Sequence, residues 1–241
     1  MIIKLEDPKI LANLISIISE LVTEVKLKVN KEGMNLSAFD PAGVAMVHFN
    51  IPSELFSQFE VTNEEILGVN LNDLKAVLRR IGFGSSLIME KKENLLRIEI
   101  KDRIKREFML ALIEVETEDR ELPKWEFNSV IKMDSDAFVE AVEDCTIVSD
   151  ACTFIAEPNR FIVQAKGLNS AKAEFSSDEV EIHSGSSTAR YSLDYLNKFI
   201  KGAKVSSKVA LNFSDDHPLR VNFQTGKIIL SFVLAPRKLE D

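Results

Sequence analysis

Cysteine and histidine are scarce in this sequence, whose 241 residues include two cysteines and three histidines. Cys145 and Cys152 are too few and too far apart for a disulfide scaffold or a Cys-x-x-Cys site, which fits a reducing compartment. His48, His183 and His217 are isolated from one another and lack the spacing of metal ligands. The sequence contains no P-loop, G-x-G-x-x-G or G-x-S-x-G motif. It therefore predicts no catalytic residue, no metal site and no cofactor.

Long apolar runs and an excess of basic residues are also missing. No run approaches the roughly 18–20 apolar residues that span a bilayer, and no basic-then-apolar leader opens the chain. We therefore expect an intracellular protein with no membrane association. Acidic residues outnumber basic ones, 38 to 30, for a net charge of −8. Because tight nucleic-acid binders neutralise many phosphates, any such role requires a local basic surface on an acidic body.

Hydrophobic residues, 45% of the chain, recur with helical spacing in four segments and with strand spacing through most of the rest. The predicted helices are Ile10–Val22, Leu71–Ile81, Phe138–Val148 and Leu193–Ile200. Ser192 is the predicted N-cap of the fourth helix, and Gly82 and Gly202 follow the second and fourth. The predicted strands are Val25–Val29, Met34–Ala38, Val44–Ile51, Leu95–Lys101, Arg106–Leu112, Phe161–Ala165, Val209–Phe213 and Ile228–Leu234. Many short strands with few helices predict an α+β protein built on antiparallel sheet.

The helices recur in the same order in the two halves of the chain. Leu71–Arg79 aligns with Leu193–Lys201, and the first helix aligns with the third at a similar offset of about half the chain. Chance similarity between amphipathic helices is the alternative to duplication. The segment Glu114–Lys124 is charged and ends next to a proline, as linkers often do. We therefore predict an N-terminal domain over 1–113, a connector over 114–127 and a C-terminal domain over 128–241.

Three motifs resemble those of one known family. Gly33–Ile51, which includes Phe-Asp-Pro-Ala-Gly and is followed by Phe56, resembles the signature strand pair of DNA sliding clamps of the proliferating cell nuclear antigen family. Gly68–Leu71 and Leu234–Arg237 are similar to two later motifs of that family, and all three occur in the family's order. Phe39 departs from the pattern, because an aliphatic residue or methionine is usual there. The Leu-Ala-Pro-Arg ending favours an archaeal source.

The resemblance implies two duplicated clamp domains per chain, with antiparallel sheets outside and four helices lining a trimeric ring of six domains. Such a ring encircles double-stranded DNA and acts as a processivity factor. The implied partners are DNA polymerase, a clamp loader, a flap nuclease and a ligase, each bound through a short peptide motif. The ring is a homotrimer or a heterotrimer, located in the cytoplasm with the nucleoid in an archaeon or in the nucleus of a eukaryote. A subunit of a heterotrimeric or checkpoint-type clamp and an unrelated duplicated interaction module are the alternatives.

A DNA channel lined by helices requires basic solvent faces, which the second and fourth predicted helices supply. The predicted DNA-binding residues are Lys9, Lys75, Arg79, Arg80, Lys198, Lys201 and Lys204. An ordinary solvated charged face is the alternative interpretation. The third helix is acidic at Glu140 and Glu143, where the resemblance predicts bases. We therefore expect weak phosphate contacts, mainly from two of the four helices.

Two further surfaces follow from the resemblance. The predicted pocket for partner peptides comprises Phe39, Val44, Met46, Leu122, Pro123, Trp125, Pro218, Val233, Ala235 and Pro236. Val44, Met46 and Val233 would be core residues in any sheet, and this alternative stays open. The predicted subunit interface pairs an edge strand with the next subunit, and its residues are Phe108, Leu110, Leu112, Lys172 and Phe175. Phe108 and Leu110 could equally face the core of their own subunit.

Overall fold

The computed structural model describes residues 1–116 and 121–238. Within these ranges no helix is both long and apolar enough to cross a membrane. The predicted connector 114–127 overlaps residues 117–120, which lie outside the described part of the chain. All four predicted helices are observed: α1 Lys9–Ile18, α2 Leu71–Leu78, α3 Ser135–Thr146 and α4 Leu193–Phe199.

The α-helices end earlier than hydrophobic spacing alone predicts. Beyond α1 and α2 the chain continues in tighter turns, in which the amide of Leu21 donates to the carbonyl of Ile18 and that of Ile81 donates to Leu78. Such i to i+3 bonds are common where a helix tightens at its end. After α4, the same tightening forms a 3₁₀ turn over Ile200–Lys204.

Two helix starts are fixed in different ways. The side chain of Asn70 accepts hydrogen bonds from the amides of Asn72 and Asp73, at 2.9 and 3.4 Å, and so caps α2. Ser192 occupies the N-cap position of α4 as predicted, but its side chain makes no capping hydrogen bond. The amide of Leu193 instead donates to the carbonyl of Asp150, at 2.9 Å.

Strands account for most of the remaining described residues. Those before the connector are β1 Ile2–Leu5, β2 Glu24–Asn30, β3 Gly33–Phe39, β4 Ala45–Pro52, β5 Gln58–Glu60, β6 Glu65–Asn70, β7 Ser86–Lys92, β8 Leu95–Lys101 and β9 Lys105–Ala111. Those after it are β10 Ser129–Asp134, β11 Ala151–Glu157, β12 Arg160–Lys166, β13 Ser170–Ser176, β14 Glu181–Ser184, β15 Ser187–Ser192, β16 Lys208–Phe213, β17 Leu219–Thr225 and β18 Ile228–Leu234.

The chain divides into two compact units. The first comprises Met1–Asp40, Val47–Leu122 and Gly226–Ile229, and the second comprises Pro41–Met46, Pro123–Thr225 and Leu230–Asp241. Each unit therefore contains two of the helices, together with its own strands. The boundaries 1–113, 114–127 and 128–241 stay predictions.

The first unit has two sets of hydrogen-bonded strands, in the orders β5-β1-β7-β8-β9 and β4-β3-β2-β6. Its helices bury one apolar face each, and Leu11, Leu14 and Leu74 are fully buried. Burial of one such side chain contributes about 1.5–3 kcal/mol. Along β2, Val25, Leu27 and Val29 are buried, so the predicted alternation is confirmed there.

The second unit has the strand orders β14-β10-β16-β17-β18 and β13-β12-β11-β15. Aromatic side chains fill much of its core. Phe154 makes edge-on contacts with Phe138 and Tyr191, with ring centroids 6.1 and 5.3 Å apart. Phe199 of α4 stacks on Phe232 of β18 at 4.4 Å. Offset and edge-on pairs of this kind add about 0.5–1.5 kcal/mol beyond their burial.

The chain that leaves β9 lies against Gly68 of β6. The amide of Ile113 donates to the carbonyl of Gly68 at 2.9 Å. A Cβ atom built on Gly68 would stand 1.9 Å from the carbonyl oxygen of Ile113. Only a residue without a side chain therefore lets the start of the connector approach β6 this closely.

Lys75 joins the two helices of the first unit. Its ammonium group donates to the Ser19 hydroxyl at 2.9 Å and lies 3.5 Å from the carbonyl oxygen of Ser16. Both acceptors lie at the C-terminal end of α1, where a positive charge is favourable because the last carbonyls of a helix carry partial negative charge. Lys75 is half-buried in this position.

We predict that Gly68→Ala lowers the free energy of unfolding by about 1–3 kcal/mol, because the new methyl group collides with backbone that cannot rotate away. Differential scanning calorimetry would show this as a lower Tm. Gly185→Ala is the control, because nothing lies within 4 Å of a Cβ at that glycine. Equal melting temperatures for the two variants would contradict the close approach at Gly68.

Lys75→Met should lower the free energy of unfolding by about 0.3–1 kcal/mol, because the end of α1 loses its positive partner. Lys31→Met is the matched control, since Lys31 is exposed in the turn between β2 and β3 and not at a helix end. Urea unfolding followed by circular dichroism would measure both. If the two substitutions cost the same, Lys75 does not have this structural role.

Candidate nucleic-acid and partner interfaces

Three of the predicted DNA-binding residues meet around a groove in the first unit. Lys9, Lys75 and Arg79 line a space of about 280 Å³, together with Ala12, Asn13, Ser16, Leu78 and Ile81. Lys9 and Arg79 are exposed, whereas Lys75 is half-buried. Basic, amide and hydroxyl groups are the usual partners of phosphate oxygens. Arg80 is exposed next to this set but does not line the groove.

An aromatic residue that sequence reasoning missed borders the same surface. Phe83 has a side chain that is 95% exposed, and the ammonium of Lys9 lies 5.4 Å from the centre of its ring. Cation–π contacts occur at this distance. The only local sequence signal for an exposed Phe83 was its position between two glycines, a pattern typical of a turn. In the structure Gly84 has a φ of 72°.

The basic residues of the second unit lie on α4 and the turn after it. Lys198 and Lys201 are half-buried and Lys204 is exposed. The ammonium of Lys198 lies 5.4 Å from the ring centre of Tyr195. The turn is held tightly, because a Cβ on Gly202 would lie 2.3 Å from the ring of Phe223. The backbone that carries Lys201 and Lys204 is therefore packed closely against the core.

The solvent face of α3 is acidic. Asp136, Glu140, Glu143 and Asp144 are all exposed. The helix contacts its neighbour through Thr146, whose hydroxyl lies 3.3 Å from the side-chain oxygen of Asn197 in α4. Acidic and basic residues therefore share the exposed helical surface of the second unit, whereas Lys9, Lys75 and Arg79 form a basic groove in the first.

Part of the predicted partner pocket comes together in the second unit. The carbonyl of Val44 accepts a hydrogen bond from the amide of Ala235 at 3.0 Å. Val44, Ala235, Pro236 and Pro218 are half-buried. Met46 and Val233 are only 1% and 7% exposed, which favours the alternative that they belong to the core. Phe39 and Leu122 belong to the first unit, where Phe39 is 40% exposed and Leu122 is half-buried.

Trp125 belongs to an aromatic cluster of the second unit. The ring of His217 lies edge-on to Trp125 and Phe127, with centroids 5.0 and 5.5 Å away. The guanidinium of Arg220 lies 5.3 Å from the ring centre of Phe127 and donates to the carbonyl of Pro123. Burial lowers the pKa of Arg220. Sequence reasoning missed Phe127, His217 and Arg220, because no local pattern links positions so far apart in the chain.

A buried hydroxyl connects the aromatic cluster to the core. The side chain of Tyr191 is fully buried and donates to the carbonyl of His217 at 2.8 Å. Burial also raises the pKa of Tyr191, so the group stays a neutral donor. Since a buried hydroxyl without a partner is costly, this bond fixes the backbone beneath the cluster.

The predicted interface residues before the connector lie on or next to an edge strand. In the described part of the chain β9 pairs with β8 alone. Phe108 and Leu110 are half-buried and stand opposite Ile98 and Leu96, which are fully buried. Both therefore belong to the core-facing side of the sheet. Leu112 follows the strand, and its amide donates to the carbonyl of Asn94 at 2.8 Å.

The predicted interface residues of the second unit also lie on an edge strand. Among the described residues β13 pairs only with β12. Lys172 is exposed and forms an ion pair with Glu174 on the same strand. Phe175 is half-buried and stacks on Phe161, with ring centroids 6.1 Å apart.

Both cysteines are buried, and neither forms a disulfide. Burial raises the pKa of Cys145 to about 11 and raises that of Cys152 well above its usual value. Both thiols therefore stay protonated at neutral pH. Within residues 1–116 and 121–238, no three His, Cys, Asp or Glu side chains are grouped as metal ligands would be.

Comparison with known proteins matches each half of the chain to one domain of the same family. Residues 1–120 match the family model for the N-terminal domain of proliferating cell nuclear antigen, and residues 121–238 match that for its C-terminal domain. The DNA polymerase sliding clamp of Thermococcus onnurineus is 35% identical over 98% of this chain and 97% of its own length. The clamp of Nanoarchaeum equitans is 32% identical over 96% of this chain and 97% of its own length.

Solved structures agree with this assignment at the level of the fold. Proliferating cell nuclear antigen from Thermococcus kodakaraensis superimposes with a TM-score of 0.92 at 24% identity, covering 98% of this chain and 99% of that one. The protein from Entamoeba histolytica gives the same TM-score at 22% identity, covering 98% of both chains. The predicted α+β fold of two duplicated domains is confirmed. The chain belongs to the proliferating cell nuclear antigen family.

Proposed function

We propose that this chain is a DNA sliding clamp, which encircles duplex DNA and tethers DNA polymerase to it without catalysing a reaction itself. The match of both family domains, in order, across residues 1–238 carries the proposal. Relatives at 32–35% identity over nearly the whole chain are named DNA polymerase sliding clamps. The basic groove of the first unit supplies the chemistry that a DNA-encircling protein needs.

The ring would be built from three copies of the chain. The edge strands β9 and β13 each have one neighbour within the described residues. An exposed edge strand favours pairing with another chain, and in a closed head-to-tail ring β9 of each copy would pair with β13 of the next. Phe108, Leu110 and Leu112 on one copy would then meet Lys172 and Phe175 on the next. Light scattering of the pure protein tests this assembly, because a chain that does not form the ring by itself would stay monomeric as its concentration rises.

DNA would be held lightly. Lys9, Lys75 and Arg79 offer phosphate contacts in the first unit, and Lys198, Lys201 and Lys204 offer them in the second. Lys75 is half-buried and bonded to the end of α1, whereas Arg79 and Arg80 are exposed. The two arginines would therefore reach the DNA backbone more easily than Lys75. Phosphate contacts carry no sequence information and weaken with salt. Such contacts let a ring slide while its topology prevents dissociation.

Partner enzymes would bind on the second unit, around the aromatic cluster and the half-buried Val44, Ala235 and Pro236. A client peptide with a leucine-like residue and paired aromatics would find apolar and edge-on aromatic contacts there. A few such anchors carry most of the affinity in interfaces of this kind. DNA polymerase, clamp loader, flap nuclease and ligase are the proposed clients.

Arg79→Glu combined with Arg80→Glu should reduce loader-dependent stimulation of polymerase on primed circular DNA, because two exposed positive charges become repulsive. The slope of log affinity against log salt should fall by about 1 for each phosphate that the variant no longer neutralises. Lys92→Glu with Lys132→Glu is the charge-matched control, because both lysines are exposed and lie on strands, β7 and β10, and not on helices. Light scattering should find the same assembly in all three proteins. Wild-type stimulation by the arginine variant would refute the assignment of this surface to DNA.

A client peptide should change the fluorescence of Trp125, because it would alter the surroundings of the only tryptophan in the chain. Titration with a peptide containing one leucine and two aromatic residues measures the effect, with an all-alanine version of the motif as control. If calorimetry detects binding while the emission stays constant, Trp125 does not belong to the partner surface.

A further inference from the structure

The loop that follows α2 presents an aromatic side chain to solvent beside the basic groove. Phe83 is 95% exposed, and the ammonium of Lys9, which lines the groove, lies over its ring at 5.4 Å from the centre. Removing apolar surface from water is favourable in proportion to its area, so a phenylalanine this exposed has much to gain from a partner. We call Phe83, Lys9 and Arg79 together the Phe83 surface.

A closed turn holds Phe83 outward. The amide of Ser85 donates to the carbonyl of Gly82 at 3.3 Å, and the amide of Gly82 donates to the Ser85 hydroxyl at 2.9 Å. Ser85 is only 2% exposed, and its hydroxyl donates to the carboxylate of Asp102 at 3.3 Å. Gly84, the third residue of the turn, has a φ of 72°, which glycine adopts without steric cost. The turn is therefore anchored at its base, while its tip carries the ring.

The groove beside this ring is cationic. None of the eight described residues that line it is acidic, and Lys9, Lys75 and Arg79 are three of them. Lys75 is bonded to the end of α1, so the exposed cations of the groove are Lys9 and Arg79. Asp7 accepts a hydrogen bond from the backbone amide of Lys9 at 3.2 Å, whereas the ammonium of that lysine lies over Phe83. An anion that also carries a flat apolar group therefore fits this surface.

A nucleotide with an unpaired base has both of these parts. Its base is a flat π surface, and its phosphate is an anion only one sugar away. Proteins that hold single strands without reading their sequence combine a positively charged groove with aromatic side chains on which bases stack. Within a duplex each base face is already covered by its neighbours in the stack. A duplex could therefore meet the cations of this surface, but only an unpaired base could stack on Phe83.

We propose that the Phe83 surface binds single-stranded DNA, with an unpaired base stacked on Phe83 and the adjoining phosphates beside Lys9 and Arg79. The choice of DNA as the strand rests on the proposed function. The base would occupy the ring face opposite the Lys9 ammonium, which would keep its contact with the ring while it binds a phosphate. Because stacking uses no base edge, the surface would distinguish unpaired from paired strands and not one sequence from another.

Fluorescence anisotropy with dye-labelled strands measures the contribution of the bases in the wild-type protein alone. An oligothymidylate should bind at least about fivefold more tightly than a strand of the same length made of abasic nucleotides, because both carry the same phosphates and only one can stack. Equal affinities for the two strands would overturn the proposal. Since no variant is involved, the result does not depend on how a mutant folds.

Phe83→Ala should abolish the preference for the oligothymidylate and leave the affinity for a duplex of the same length unchanged. Phe83→Leu should lose it as well, because leucine keeps apolar bulk but has no ring, whereas Phe83→Tyr should retain it. Leu168→Ala is the matched control, because it removes another fully exposed apolar side chain, between β12 and β13. It should keep the full preference. Equal preferences in Phe83→Ala and Leu168→Ala would contradict stacking on Phe83.

The proposed ring is tested separately, by retention of the loaded protein on circular duplex DNA. Normal retention without any preference for the oligothymidylate would overturn the Phe83 surface and keep the clamp. A preference that depends on Phe83, in a protein that is never retained, would support the surface and reject the clamp. If Phe83→Ala changes the mass found by light scattering but not the preference, Phe83 contacts a second copy of the chain, and the proposal fails.

Discussion

The burial of one apolar face of each helix is the interaction on which the rest of the structure depends. Leu11, Leu14 and Ile15 of α1 are fully buried, as are Leu71 and Leu74 of α2. A helix that buries such a stripe must present its opposite face to solvent, because its side chains repeat every 3.6 residues. The charged residues of α1 and α2 therefore lie outside the buried stripes, and Lys9, Lys75 and Arg79 line the basic groove.

The same constraint gives the second unit a different electrostatic surface. Phe138, Ala141 and Val142 are buried in α3, which leaves Glu140 and Glu143 exposed. Charges within a Debye length, about 8–10 Å at physiological salt, act together on an approaching anion. Because α3 and α4 contact each other, the carboxylates of α3 offset the lysines of α4. Of the two proposed phosphate-binding surfaces, the one on the first unit is thus less offset by neighbouring carboxylates.

Local sequence patterns predicted the elements whose burial is regular. All four helices and strands such as β2 and β18 were found, because their apolar residues recur with one clear period. The strands that were not predicted are β1, β5, β6, β7, β10, β11, β13, β14, β15 and β17. β1 has only four residues, and β11 combines small and aromatic buried residues, Ala151, Cys152, Phe154 and Ala156, so neither shows a full alternation. Pairing with neighbouring strands, which is not local, makes these segments extended.

The candidate sites were predictable to the extent that they lie on single elements. Helical spacing placed Lys75 and Arg79 on one side of α2, and both line the groove. Nothing local indicated that Lys75 also binds the end of α1, or that His217 would contact both Trp125 and Phe127. Those relations depend on residues brought together only by the fold. The family resemblance therefore predicted where the DNA and partner surfaces lie, whereas the contacts of Lys75 and His217 could be seen only in the structure.

The proposed DNA and partner surfaces rest on physically different interactions. The basic groove uses exposed charges, whose attraction for phosphate weakens as salt rises. The partner surface uses aromatic rings held from below by a buried hydrogen bond between Tyr191 and His217, and apolar contacts of this kind are little affected by salt. In the proposed ring, strong binding of a client can therefore coexist with DNA contacts that are weak enough for sliding. The net charge of −8 is consistent with this division, because a strongly basic body would turn the weak contacts into tight ones.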